Sequence, residues 1–143
     1  MKISTKGRYA LDLMIDLAQN QHTGNISLKD VSKRKNVSLK YLEQIASVLT
    51  KNGFIKSVRG AQGGYSLTKD AAQYTAKDII CLVEGPIACI PCLEPTASCP
   101  KYNDCAVIGF YEGLDKVISD YLESYTLEDL MNMKKEYNFD FVI

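Results

Sequence analysis

The chain has one histidine, His22, and no nucleophile–base pattern elsewhere, so it holds no constellation for acid–base or nucleophilic catalysis. An enzyme is not expected, and His22 reads as a surface residue near the end of the first helix. Net charge is absent too: 17 Lys+Arg balance 17 Asp+Glu over 143 residues, so the total marks neither a nucleic-acid binder nor an acidic tail. No apolar run approaches the roughly 18 residues that span a bilayer. Asp12 and Asp16 interrupt the apolar stretch near the N-terminus before a signal-type core forms. There is no internal repeat and no low-complexity tract. A cytoplasmic protein with no membrane partner is expected, built as one ordinary domain or two very small ones.

What is present is unevenly placed. Residues 1–70 carry 12 Lys+Arg and 5 Asp+Glu, while residues 71–143 carry 5 and 12, so a half with seven surplus positive charges joins a half with seven surplus negative ones. All four prolines and four of the five cysteines fall between residues 86 and 105. An odd cysteine number in a reducing compartment points away from a disulfide framework and toward metal, redox chemistry or burial.

The apolar pattern predicts the elements. Ser4-Thr5 opens a helix with Ala10, Leu11, Met14, Ile15, Leu17 and Ala18 on one face and Asp12, Asp16 and Gln19 on the other. Ser27 and Asp30 resemble a capping box for a short helix through about Lys35, which Asn36 ends in the left-handed conformation. Ser38 caps a third helix whose Leu39, Leu42, Ile45, Ala46 and Leu49 share a face, with Asn52-Gly53 as its stop. Two helices joined by so short a turn form a helix-turn-helix. Strand-like runs 54–58 and 65–68 flank the glycine-rich tip 59–64, the order of a winged helix. Thr75 and Asp78 open a fourth helix that Gly85-Pro86 ends. Residues 86–105 lack periodicity, and Cys81 reads as a small core residue. An apolar stripe from Val107 to Tyr125 marks a long helix, and Thr126 through about Tyr137 adds one more. The expected fold is mainly α with a small β-hairpin.

The polar face of the third helix carries Lys40, Glu43, Gln44, Ser47 and Lys51, with Tyr41 at its border. These supply donors and acceptors for base edges in the major groove. Lys33, Arg34, Lys35, Lys51 and Lys56 are placed to neutralise phosphates. Arg59, with Gly60 and Gln62 at the hairpin tip, is placed to enter a minor groove, which is narrow and strongly negative in A·T-rich sequence. Gly60 to Gly64 lacks the Gly-Lys-Ser/Thr ending and following helix of a phosphate loop. The spacing Cys89-x2-Cys92-x6-Cys99-x5-Cys105 offers soft thiolates to an iron–sulfur cluster or zinc. A zinc ribbon usually has two Cys-x-x-Cys knuckles and this loop has one; a thiol switch without metal is a further alternative.

Several segments together resemble a known family: residues 1–10 (MKISTKGRYA), 38–44 (SLKYLEQ), 51–60 (KNGFIKSVRG) and 63–65 (GGY), followed by the three-cysteine loop. The chain is similar along its whole length to the iron–sulfur cluster regulator IscR and its relatives, winged-helix transcription regulators that include CymR and NsrR. The resemblance implies a homodimer on double-stranded DNA, reading a pseudo-palindromic operator, with the long helix after Cys105 as dimer seam. It places Ser38, Lys40, Tyr41, Glu43 and Arg59 at DNA-contacting positions and Cys92, Cys99 and Cys105 at cluster ligands.

Two positions depart from that pattern. The interval from the first to the second ligand cysteine is seven residues here, one longer than in IscR, and Ile108 stands where IscR has a histidine ligand. Arg8 stands where some relatives supply a carboxylate from the partner's first helix. Cys89 is the candidate fourth ligand, with Asp104, Glu94 and Asp12 of the partner subunit behind it. Three or four thiolates fit a 2Fe–2S or a 4Fe–4S centre. The expected division is a winged helix over 1–70, a linker helix and cysteine-rich sensor loop over 71–105, and dimerisation and C-terminal helices over 106–143. The rival within this class is a regulator of cysteine or sulfur metabolism that responds to thiol oxidation or a partner protein; such relatives often lack the cysteine triad. A small electron carrier is the rival from another class, and it has no use for a basic winged helix.

Overall fold

The computed structural model describes residues 2–133. Six α-helices follow one another: α1 (Thr5–Asn20), α2 (Leu28–Lys35), α3 (Leu39–Lys51), α4 (Ala76–Glu84), α5 (Ile108–Ser124) and α6 (Leu127–Asn132), with strands β1 (Ile55–Val58) and β2 (Gly64–Leu67) between α3 and α4. The expected fold class is thus found. The part of the last helix expected from 134 to Tyr137 lies outside the described residues. Single 3-10 turns at Pro91–Leu93 and Tyr102–Asp104 punctuate the otherwise irregular segment after α4.

The helices start where side chains satisfy orphan N–H groups. Ser27 and Ser38 accept from the N–H groups of Asp30 and Tyr41, both at 3.2 Å, and Thr75 forms a reciprocal box with Asp78. Asn36 ends α2 in the left-handed conformation at φ 52°. This short stop holds α2 and α3 in helix-turn-helix order.

Helix α1 runs through the centre, packed on α4, α6, α3 and β2. Its Leu13, Met14 and Leu17 are fully buried with Ile45 and Leu49 of α3, Ile79 of α4 and Leu127 of α6, so the winged helix and the helices after it share one core. Each such side chain contributes about 1.5–3 kcal/mol relative to exposure; this core, more than the four-residue strands, holds the fold. Two details differ from the sequence expectation. Leu13 belongs to the core, and Asp16 leaves the polar face to become the one buried charged residue among the described residues. Arg34 of α2 forks onto that carboxylate at 2.7 and 2.8 Å, so the arginine expected at a phosphate is partnered within the protein, although its side chain stays partly exposed.

The hairpin pairs Ile55 with Leu67 through Val58 with Gly64. A lone two-stranded ribbon is marginal in water, and here Ile26 adds a third edge by exchanging backbone hydrogen bonds with Tyr65 at 2.9 and 2.7 Å. Gly64 permits this approach: its φ is +142°, and a methyl group there would come within 2.6 Å of the Ile26 backbone. Tyr74, fully buried, locks the exit of the hairpin. Its hydroxyl donates to the Phe54 carbonyl at 2.7 Å and accepts the N–H groups of Thr68 and Lys69.

Among the described residues, no helix is long and apolar enough to cross a membrane. Cys81 is half-buried on α4, and burial is the first cause raising its thiol pKa. His22 is exposed.

Candidate nucleic-acid interface and cysteine loop

Ser38, the N-cap of α3, accepts the Tyr41 N–H and so fixes the start of that helix. Lys40, Glu43, Gln44, Ser47 and Lys51 are exposed, while Leu42, Ile45, Ala46 and Leu49 face the core. The amphipathic split read from the sequence is therefore present in space. Glu43 lines the same concave surface as Lys29 at the start of α2 and Arg59 and Gly60 of the hairpin. Reading helix and wing thus face one groove. Gln62 is exposed at the tip, and its carbonyl accepts from Asn25 at 3.2 Å, which ties the tip to the turn before α2. Lys33 and Lys56 are exposed and Lys35 is half-buried; Arg34 is bound to Asp16.

Sequence reasoning missed two contributions. Lys29 is separated by ten residues from the next groove residue of the helix-turn-helix, Leu39, and only the fold brings it to Arg59. The Tyr41 ring packs edge-on against Tyr9 of α1, centroids 5.5 Å apart, and the Arg8 guanidinium lies 6.0 Å from the Tyr9 ring. The first helix therefore buttresses the start of the reading helix.

The cysteine loop is fastened to α5 at two points. The Cys89 N–H donates to Asp115 Oδ1 at 2.7 Å and its thiol to the Tyr111 carbonyl at 3.7 Å; Tyr102 donates its hydroxyl to Glu112. Asp115 is the first cause raising the Cys89 thiol pKa. Cys92 is raised as well, first by its neighbour Cys99, then by desolvation and by repulsion from Cys99 and Cys105. Cys89 is turned to α5, while Cys92, Cys99 and Cys105 follow along the same loop. All four are half-buried. Among the described residues no group of three or more His, Cys, Asp or Glu forms a site able to hold a metal ion. The donor chemistry nonetheless suits a soft metal: Cys92, Cys99 and Cys105 lie within one short loop.

Helix α5 has no buried residue. Val107, Phe110, Leu114, Val117 and Tyr121, spaced alternately by three and four, are all exposed, Phe110 by 69%. That spacing is the seam of a helix pair.

A basic winged helix followed by a cysteine loop and an unpaired apolar helix defines a DNA-binding regulator, and comparison with known proteins places it further. Residues 3–133 match the Rrf2 family, described as an iron-dependent transcriptional regulator. The chain is 37% identical to the transcriptional regulator IscR of Klebsiella pneumoniae over 132 residues, 92% of this chain and 80% of that protein. Among solved structures it is similar to CymR, the global cysteine regulator of B. subtilis, with TM-score 0.76 and 41% identity over 92% of this chain and 96% of that one. It is also similar to IscR of T. potens, with TM-score 0.74 and 36% identity over 96% and 95%. The chain belongs to the Rrf2 family of transcriptional regulators. Its relatives are regulators, not enzymes.

Proposed function

We propose that this chain is a homodimeric transcription regulator that reads a pseudo-palindromic operator and senses iron–sulfur cluster or redox status through its cysteine loop. The carrying observation is the position of that loop: it holds Cys92, Cys99 and Cys105 in the segment between α4 and α5, and is hydrogen-bonded to α5 at Asp115 and Glu112. A change in loop order therefore acts on both. Residues 1–70 read, 71–105 sense and 106–143 pair.

Each winged helix takes one half-site. Ser38, Lys40, Tyr41, Glu43 and Gln44 meet the major groove, and Arg59, Gly60 and Gln62 the minor groove. The stripe from Val107 to Tyr121 pairs with its copy on a second chain, which removes five exposed apolar side chains from water. The negative half keeps the sensing and pairing elements off the phosphates. Cys92, Cys99 and Cys105 would hold the cluster, and Cys89 is the candidate fourth ligand once released from Asp115. When bound, the group supplies a redox-responsive cross-link of the loop.

Anaerobic purification, with the visible absorption spectrum and counts of iron and sulfide per chain, tests the sensing centre. Bound iron and sulfide lost in Cys92→Ala are expected, whereas zinc or bare thiols contradict the cluster. Cys89→Ala separates three thiolate ligands from four. A second reading has its own support, the likeness to a cysteine regulator together with several half-buried thiols in one loop. In it an external thiol oxidant takes two electrons from the Cys92 and Cys99 thiols, which form a disulfide and release two protons, and the same preparation would contain neither iron nor sulfide.

A further inference from the structure

Helix α4 ends on Glu84, one residue before Gly85 opens the cysteine loop. The Glu84 carboxylate reaches back across 80 positions to α1: Oε1 accepts the Ser4 N–H at 2.9 Å and also the Ser4 hydroxyl. Ser4 is the N-cap of α1, and its Oγ accepts the Gly7 N–H at 3.3 Å. A carboxylate thus sits at a helix N-terminus, where the unsatisfied N–H groups and the helix dipole favour negative charge.

Gly7 makes the room. It is buried, and a methyl group there would overlap Glu84 Oε1 and press on Ile3 Cγ2 at 3.1 Å. The same corner meets the loop itself, since Lys2, Ile3, Glu84, Pro86, Ile87 and Glu94 line one cavity. In the other direction, Gly7 lies two residues from Tyr9, which packs on Tyr41 at the start of the reading helix. The loop corner, Glu84, the head of α1 and the start of α3 are therefore neighbours in sequence or in space.

We propose that the Glu84–Ser4 contact transmits the state of the cysteine loop to the reading helix. Glu84 is a positioning residue: it fixes the N-terminus of α1, and α1 fixes Tyr41. The contact is solvent-exposed, so it is individually modest and can be made or broken when the adjoining loop orders. This inference rests on the reading of Cys92, Cys99 and Cys105 as the sensing centre.

The test uses the full-length dimer, loaded with cluster and stripped of it, on DNA selected from a random pool. Allosteric couplings typically span about 5- to 150-fold in affinity. In Glu84→Ala and in Gly7→Ala, the loaded-to-stripped affinity ratio is expected to fall at least about threefold toward one. Glu84→Gln, which keeps an accepting oxygen, recovers part of it. In stripped protein, the Ser4 and Gly7 amides of Glu84→Ala exchange hydrogen faster than in the parent. Variants that keep the parent ratio overturn the link, as does an equal loss of affinity in both forms, which marks a merely structural contact. A parent ratio of one overturns the sensing reading and the link together, whereas a parent ratio above one with unchanged variants overturns the link alone.

Discussion

Arg34 grips Asp16 with two hydrogen bonds, Nε to Oδ2 at 2.8 Å and a terminal nitrogen to Oδ1 at 2.7 Å, across the joint between α2 and α1. The aspartate side chain is 2% exposed and the arginine 41%. Breaking a fully buried pair costs about 3–5 kcal/mol. With Arg34 partly in water, Arg34→Ala is expected to destabilise by about 2 kcal/mol in chemical denaturation. Because Arg34 is committed to Asp16, the salt dependence of DNA binding should keep its slope in Arg34→Ala and become shallower by about one in Lys33→Ala.

The wing depends on Gly64. Gly64→Ala forces a methyl group against the Ile26 backbone at a φ that side chains rarely adopt, a strain of about 1–3 kcal/mol. The Ile26 and Tyr65 amides should lose hydrogen-exchange protection and DNA affinity should fall more than about tenfold, with helical circular dichroism unchanged. Arg59→Ala should leave those amides protected and weaken binding most at A·T-rich flanks. Parent-like binding by Gly64→Ala would show that the wing is not needed for binding.

Much of this was legible in the chain because the signals are local. Ser27, Ser38, Thr75 and Asn36 mark helix ends through contacts within a few residues, and the third-helix stripe predicts which of its side chains are buried. What could not be read depends on pairs far apart in sequence. Asp16 looks like a surface aspartate until Arg34 arrives from 18 residues away; Tyr74 looks like any tyrosine until the Phe54 carbonyl meets its hydroxyl; Glu84 finds Ser4 only through the fold. The cysteine spacing marked a candidate sensing loop, but not that Cys89 turns to Asp115, because an irregular segment has no period from which to infer direction.

Thr126 holds the Asp129 carboxyl below the usual carboxylate range, first through its backbone N–H and then through its hydroxyl. A carboxylate whose pKa is lower folded than unfolded adds stability above the unfolded value, and that stability is lost as pH falls through the folded one. The cap of α6 should therefore loosen below about pH 4, seen as faster exchange of the Thr126 amide at pH 3 than at pH 6. Asp129→Asn should remove that difference; if it persists, Asp129 is not its source.

Val117 and Phe110 are 66% and 69% exposed on the apolar stripe of α5. Val117→Glu places a charge where two copies are proposed to meet. Sedimentation should find a dimer for the parent and a monomer for the variant, with α5 still helical. A monomeric parent would contradict the pairing.

The central claim is that the cysteine loop governs the reading head. Operator affinity of the same dimer, measured anaerobically with its cluster bound and again after removal, tests it most directly. The two affinities are expected to differ at least about fivefold, with the difference abolished in Cys92→Ala. Equal affinities on every selected operator would contradict it.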